Sequence, residues 1–245
     1  MSIQNGPHWN VPLDEDFHVH STFSDGASTL AENVRTARER GLSTLCLVDH
    51  VRRDTAWLPD FTAAVARYRQ LPGLRVLAGV EAKILDTSGQ LDLPAGLDGI
   101  DLVLIADHQF PGDAGPVHPS QARDLISSGG MTAHEAVERL CEATANALGA
   151  VDRVPLLAHL FSVLPKTGLD EDMVPDPLLA RLAARIARAG GLVEVNEKWS
   201  CPSARTVAAM ARAGVRVVAG SDSHHCRDIG VYRTVRLTAM AGAPA

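Results

Sequence analysis

Seven short apolar runs, spaced along the chain and mostly separated by segments of helical periodicity, restrict what this sequence can fold into more than any other feature. They lie at 16–20, 44–48, 75–80, 102–106, 155–158, 192–195 and 215–219. Runs this short suit strands covered on both faces better than they suit helices. The segments 29–40, 59–70, 132–148, 176–189 and 203–213 repeat apolar side chains every three or four residues and predict helices. Gly41, Gly190 and Gly214 each stop a helix and lead directly into an apolar run, the chemistry of a short joint from helix to strand. This alternation predicts an α/β protein with a parallel sheet. Seven parallel strands covered on both faces close more naturally into a barrel than they lie open.

A chain of 245 residues suits one such barrel, so a single domain over 1–245 is expected. Residues 1–14 form an N-terminal arm ahead of the first strand. Residues 109–131, rich in Gly, Pro and Ser, read as a long loop directly after a strand, suited to act as a lid. The run 232–238 reads as one more strand-like segment before a frayed AGAPA end. No apolar run approaches the roughly 18 residues that span a bilayer. The opening MSIQNGPHWN lacks the basic and apolar regions of an export signal, so the cytoplasm is the expected location and no membrane partner is expected. The four cysteines are scattered without a CxxC pair, against a disulfide framework or a zinc knuckle. A net charge of −6 gives no general attraction for nucleic acid and points to a small-molecule partner. Oligomeric state has no signature.

The polar residues fall at the strand ends, the one place in a barrel where side chains from distant segments converge. The first run ends in DFHVH; its alternate residues His18 and His20 share a face and can grip one ion together. Asp25 follows in an SDG turn. The second run leads into VDH with His50, the third into GVEAK with Glu81, the fourth into ADH with His108, and the fifth into LAH with His159. The seventh leads into GSDSH, where Asp222 and His224 repeat the HxH spacing. Only the sixth offers no ligand of this kind. Burying nine such groups unpaired would cost several kcal/mol each, and a metal cluster removes that cost. Mixed nitrogen and oxygen donors suit zinc, manganese or iron. Nine donors exceed one coordination sphere, and Glu81 can bridge, so two or three divalent ions are expected.

Taken together, DFHVHSTFSDG, VDH, GVEAK, ADH, LAH and GSDSH resemble the PHP superfamily, named for polymerase and histidinol phosphatase, over nearly the whole chain. The resemblance implies a distorted (β/α)7 barrel with a trinuclear metal centre at the C-terminal ends of the strands. It implies one ion among His18, His20, Glu81 and Asp222, a second among Glu81, His108 and His159, and a third among Asp25, His50 and His224. It also places Asn196 near the site.

Ions outnumbering the ligand carboxylates in charge would draw a phosphate ester into the pocket. Water held between ions by Glu81, His18, His20 and Asp222 would lose a proton and attack phosphorus, with no protein nucleophile needed. Ser221 and Ser223 flank Asp222, but imidazoles nearby serve better as ligands than as a serine's base. Asp16 and Asp49, next to ligands, are candidates to orient imidazoles. Arg52, Arg53, Arg227, Asn196 and His225 are the candidates for substrate contact, His225 also as a proton donor; Lys83, Lys198 and Arg205 share the rim. Trp57 and Trp199 could face a ring or sugar. His8, His118 and His134 have no assigned role.

The expected function is a phosphomonoesterase on a small phosphorylated metabolite, similar to histidinol phosphatase. A phosphodiesterase or nuclease acting on nucleotides is the related alternative, and a non-catalytic metal-binding PHP module the alternative from another class. An amidohydrolase-type metalloenzyme is disfavoured because neither Lys83 nor Lys166 fills the place of a carbamylated lysine.

Overall fold

The computed structural model describes residues 9–242. Seven strands form one parallel sheet: β1 (Glu15–Val19), β2 (Thr44–His50), β3 (Arg75–Lys83), β4 (Leu102–Ala106), β7 (Val154–Ala158), β8 (Leu192–Asn196) and β9 (Arg216–Gly220), in that spatial order. The short strands β5 (Phe110–Pro111) and β6 (Pro116–Val117) pair separately as a hairpin. The outer strands β9 and β1 meet beyond their ladders: His20 N donates to Ser223 O at 2.8 Å and Ser223 N to His18 O at 3.2 Å. The result is a nearly closed barrel. Asp16 fastens the seam, accepting the backbone N–H groups of Ser221 and Gly230, both at 2.9 Å.

The crossovers follow the periodic segments. Helix α1 (Leu30–Glu39) joins β1 to β2, and α2 (Leu58–Ala66) joins β2 to β3. Helices α3 (Pro119–Ser127) and α4 (Ala133–Ala147) lie between β4 and β7, α5 (Asp176–Arg188) between β7 and β8, and α6 (Ala204–Arg212) between β8 and β9. Thr29 with Glu32, and Thr132 with Glu135, form reciprocal capping boxes that fix where α1 and α4 begin. Among the described residues no helix joins β3 to β4, so the barrel is uneven there.

Apolar packing divides in two. The larger cluster lies between the strands and their helices, centred on residues such as Leu47, Val80, Leu140 and Ile186. A smaller one, with Phe17, Cys46, Val48, Leu104, Leu156 and Val218, fills the inside of the barrel. The register of β1 shifts between Asp16 and Val19. A shift of this kind lets neighbouring residues face one way. Phe17 thereby joins the inner cluster while His18 and His20 occupy the barrel mouth above it.

Two sequence expectations are corrected. The run 232–238 is no strand: α7 (Thr234–Ala241) occupies it, burying Val235 and Thr238 at helical spacing, because the sheet has already met itself across β9 and β1. Residues 109–131 are not an unstructured loop but hold the β5–β6 hairpin and α3, whose Pro119 sits at the helix start, where proline costs nothing. Of the N-terminal arm, residues 1–8, including His8, lie outside the described residues, as do 243–245 of the tail. Trp9 is anchored through its indole N–H to Thr238 O at 3.1 Å. Among the described residues no helix is long and apolar enough to cross a membrane.

Candidate metal centre

The nine candidate ligands meet at the C-terminal mouth of the barrel, and their centre is Glu81. This carboxylate, buried on β3, faces five imidazoles. Oε2 lies 3.3 Å from His18 Nε2, 3.4 Å from His20 Nε2 and 2.9 Å from His50 Nδ1. Oε1 lies 3.0 Å from His108 Nε2 and 2.9 Å from His159 Nε2. Asp222 Oδ1 stands 3.5 Å from His20 Nε2 and 3.4 Å from His224 Nδ1. Asp25 Oδ2 joins His50 Nε2 at 3.5 Å to His224 Nε2 at 3.3 Å.

Three sets of these side chains offer donor atoms all within 4.8 Å of one another: His18, His20 and Glu81; His50, Glu81 and His108; and His20, Asp25, His50 and His224. They overlap the three sets implied by family resemblance, with His50 in the second in place of His159 and His20 added to the third. His159 and Asp222 sit at the edges of these sets, and both have backbone φ in the left-handed region, at 32° and 52°. Such conformations are costly for residues with a side chain and persist where surrounding structure imposes them.

The donor set fits cations. His18 Nε2 and His20 Nε2 face one another at 3.0 Å, and His20 Nδ1 is buried without a hydrogen-bond partner. Buried imidazoles facing one another are satisfied by an ion in a way that neighbouring protein groups do not provide. The charge balance agrees. Burial works against the charge of Glu81, yet His18 and His108 hold its pKa well below the usual carboxylate range. Burial likewise opposes the Asp222 charge, but His18 and His20 keep that carboxyl low. Burial also disfavours a charged His18, but Glu194 and Glu81 raise its pKa well above the ordinary value. His159 is pushed up to about 10 by Asp107 and Glu81 against its own burial, whereas burial drives His20 down to about 4. Protons on His18 and His159 thus occupy the electrostatic place of a cation.

Two buried carboxylates not singled out in the sequence hold the imidazoles from behind. Glu194 on β8 lies 3.1 Å from His18 Nδ1 and also accepts His159 N–H at 2.9 Å and Asn196 Nδ2 at 3.0 Å. Asp107 lies 3.3 Å from His159 Nδ1 and accepts the Ser162 hydroxyl at 2.7 Å. Each leaves Nε2 facing Glu81, the arrangement by which carboxylates fix the tautomer of metal-binding histidines. Room for Glu194 depends on Gly220, where a Cβ would lie 1.7 Å from Glu194 Oε1. The sixth strand therefore serves the site through a carboxylate behind the ligands. Its signal was a charged residue inside the apolar run LVEV.

Asp16 and Asp49 orient no imidazole. Asp16 holds the barrel seam, and Asp49 accepts the hydroxyls of Ser21 at 2.6 Å and Ser24 at 2.5 Å, fixing the turn that carries Asp25. Gly26 lets this turn fold back, since a Cβ there would come within 2.7 Å of the His20 and Ser21 backbone. Ser221 and Ser223 donate to the carbonyls of His18 and His225 and are not paired with a base.

A cavity of about 610 Å3 opens onto the cluster, lined by Asp25, His50, Glu81 and His108 with Arg52 and Lys83. Of Arg52, Arg53, Arg227, Asn196 and His225, Arg52 lines it, as does the rim cation Lys83. Arg53 is held by its backbone N–H to Asp92 at 2.9 Å, and Arg227 turns toward Asp228 at 3.8 Å. His225 Nδ1 accepts the Arg227 N–H and caps a short turn. Asn196 is fully buried, donating to Glu194 and accepting Trp199 N–H, so it braces the site rather than meeting a substrate. Trp57 lines the cavity, while Trp199 gives its indole N–H to Asp222 Oδ2 at 2.9 Å. Lys198 lies 3.3 Å from Asp222 Oδ1. Arg205 pairs with Asp176, and His134 lies 3.6 Å from Glu138 on α4.

A family model for the PHP domain matches residues 16–198. A probable phosphatase of Vibrio vulnificus (strain YJ016) is 28% identical over 229 residues, covering 90% of this chain and 81% of the relative. A probable phosphatase of Caldanaerobacter subterraneus subsp. tengcongensis is 27% identical over 236 residues, covering 89% and 78%. Among solved structures, histidinol phosphate phosphatase from Lactococcus lactis, complexed with zinc, L-histidinol and phosphate, aligns with a TM-score of 0.63 over 93% of both chains at 16% identity. That similarity extends to the fold.

Proposed function

This chain belongs to the PHP domain family and is a metal-dependent phosphoesterase, and we propose that it hydrolyses the phosphomonoester of a small metabolite. The observation that carries the reading is the convergence of five imidazoles on Glu81 at the floor of a cavity sized for a small molecule. We assign His18, His20, Asp25, His50, Glu81, His108, His159, Asp222 and His224 as ligands to two or three divalent ions, of zinc, manganese or iron. When bound, such ions draw in the phosphoryl oxygens, stabilise charge developing on them, and make water acidic enough to serve as the attacking group near neutral pH.

The chain's own residues do the rest. Glu194 and Asp107 hold the His18 and His159 rings at Nδ1 with Nε2 directed toward Glu81, so the ring orientations are set before any ion or substrate arrives, and each ring would keep its Nδ1 proton when Nε2 gives up its own to an ion. Arg52, in the cavity wall and without a carboxylate within 4.0 Å among the described residues, offers its guanidinium to the phosphate or its leaving group. Trp57, packed against Phe23 with ring centres 5.6 Å apart, gives the cavity an apolar flank.

The test is hydrolysis by metal-loaded protein of p-nitrophenyl phosphate against bis(p-nitrophenyl) phosphate, followed by a screen of phosphorylated metabolites. Cleavage of the monoester with little of the diester is expected. Preferential cleavage of the diester would replace the proposal with phosphodiester hydrolysis.

A further inference from the structure

A second cavity, of about 470 Å3, shares His108 and Gln109 with the first. Its remaining wall comes from His118, Pro119, Ser120, Arg123 and Lys166. The first cavity is lined by Asp25, Asp54 and Glu81 among others, whereas no carboxylate is among the described residues lining the second. Its two formal cations have no carboxylate within 4.0 Å among the described residues, although elsewhere the chain pairs Arg69 with Asp101, Arg139 with Asp113 and Arg216 with Glu15. Leaving two cations unpaired in one concavity of a chain with net charge −6 favours an anion there.

The fold holds these groups beside the metal centre. Lys166 lies on the short helical turn Pro165–Thr167, with its ammonium 3.8 Å from the centre of the Trp199 ring. The same indole donates to Asp222 Oδ2 and lies 6.1 Å from the His159 ring. One aromatic ring therefore separates Lys166 from two candidate ligands. The start of α3 adds no free backbone donor for an anion at its first positions: Pro119 lacks an N–H, and the Ser120 N–H is taken by His118 Nδ1 at 3.2 Å. Any anion here is held by side chains.

We propose that this cavity is a subsite for a second anionic group, carboxylate or phosphate, carried by the substrate itself. The preferred substrates are then phosphomonoesters bearing a second anion some carbons from the scissile phosphate. This rests on the phosphomonoester reading above. The phosphate sits over Glu81 and its imidazoles, and the second anion passes His108 to reach Arg123 and Lys166.

Non-hydrolysable probes separate the two claims. Calorimetry on metal-loaded protein compares alkylphosphonates with ω-phosphonocarboxylates of equal length, from three to six carbons. At the best length the carboxylate should tighten binding by roughly threefold to tenfold, the combined effect of two charge contacts at a largely exposed site. The R123Q/K166Q double variant should lose that ratio, and comparing ratios cancels any change in phosphonate binding. Equal affinities at every length, with alkylphosphonates still binding, would overturn the subsite and leave the phosphoester reading standing. Binding of neither series would overturn both, and a ratio surviving the double substitution would overturn the assignment to Arg123 and Lys166.

Discussion

Replacing Glu194 with glutamine keeps the volume of a fully buried side chain and changes only its charge and hydrogen-bond polarity. Its carboxylate accepts from three sides: His18 Nδ1 at 3.1 Å, His159 N–H at 2.9 Å and Asn196 Nδ2 at 3.0 Å. An amide has one accepting oxygen, so in E194Q at least one of these donors faces an NH2 group. A buried donor left unsatisfied costs roughly 1–3 kcal/mol. If that cost falls on the His18 tautomer, metal binding weakens by roughly 10–100-fold, the usual effect of losing a carboxylate behind a metal-bound histidine. The two ranges agree, since each tenfold is about 1.4 kcal/mol. Zinc affinity measured by competition with a chromophoric chelator, together with kcat for p-nitrophenyl phosphate, reads the effect. Thermal unfolding in chelator checks that the metal-free fold survives. A folded E194Q protein with wild-type metal affinity and full activity would refute the bracing role.

Three further outcomes follow from the same geometry. G220A places a methyl group against Glu194 and should reproduce much of the E194Q defect without altering any assigned ligand; normal metal affinity in that variant would contradict the packing. Because the pKa of His18 lies well above its ordinary value and that of His159 at about 10, both imidazoles hold protons at pH 7 in metal-free protein, and an ion must displace them. Metal affinity should therefore fall as pH drops below 7 and rise toward pH 10, with proton release seen as a buffer-dependent heat in calorimetry; a heat independent of buffer would count against this. R52Q should raise KM for p-nitrophenyl phosphate by roughly tenfold, the loss of one charge-assisted contact, with metal content unchanged. An unaltered KM would remove Arg52 from the substrate's path.

The strands and the convergence of the nine candidate ligands were legible because both obey short-range rules. Each of the seven apolar runs is a strand, and a histidine or carboxylate at the end of a barrel strand has only the mouth to face. The same rule hid Glu194: it sits two residues inside β8, reaches the site only because Gly220 makes room, and is paired with His18 on a strand that is not its sequence neighbour. Asp16 and Asp49 carried the opposite signal, lying beside ligands in DFHVH and VDH while spending their oxygens on backbone and serine groups of neighbouring loops. Helix α3 was missed because its Pro, Ser and Gly surroundings read as loop, although proline at the start of a helix is compatible with one. Arg53 and Arg227 follow strand ends in sequence, but arginine reach is set by the direction of the loop, which adjacency in sequence does not encode.

The central claim is that divalent ions take the place between Glu81 and its imidazoles that protons hold in their absence. Anomalous scattering from crystals of the protein grown with zinc or manganese locates such ions directly. The account predicts at least two peaks within bonding distance of Glu81, His18, His20, His50, His108 and His159. Peaks elsewhere, or none with Glu81 still bound to its histidines, would contradict it.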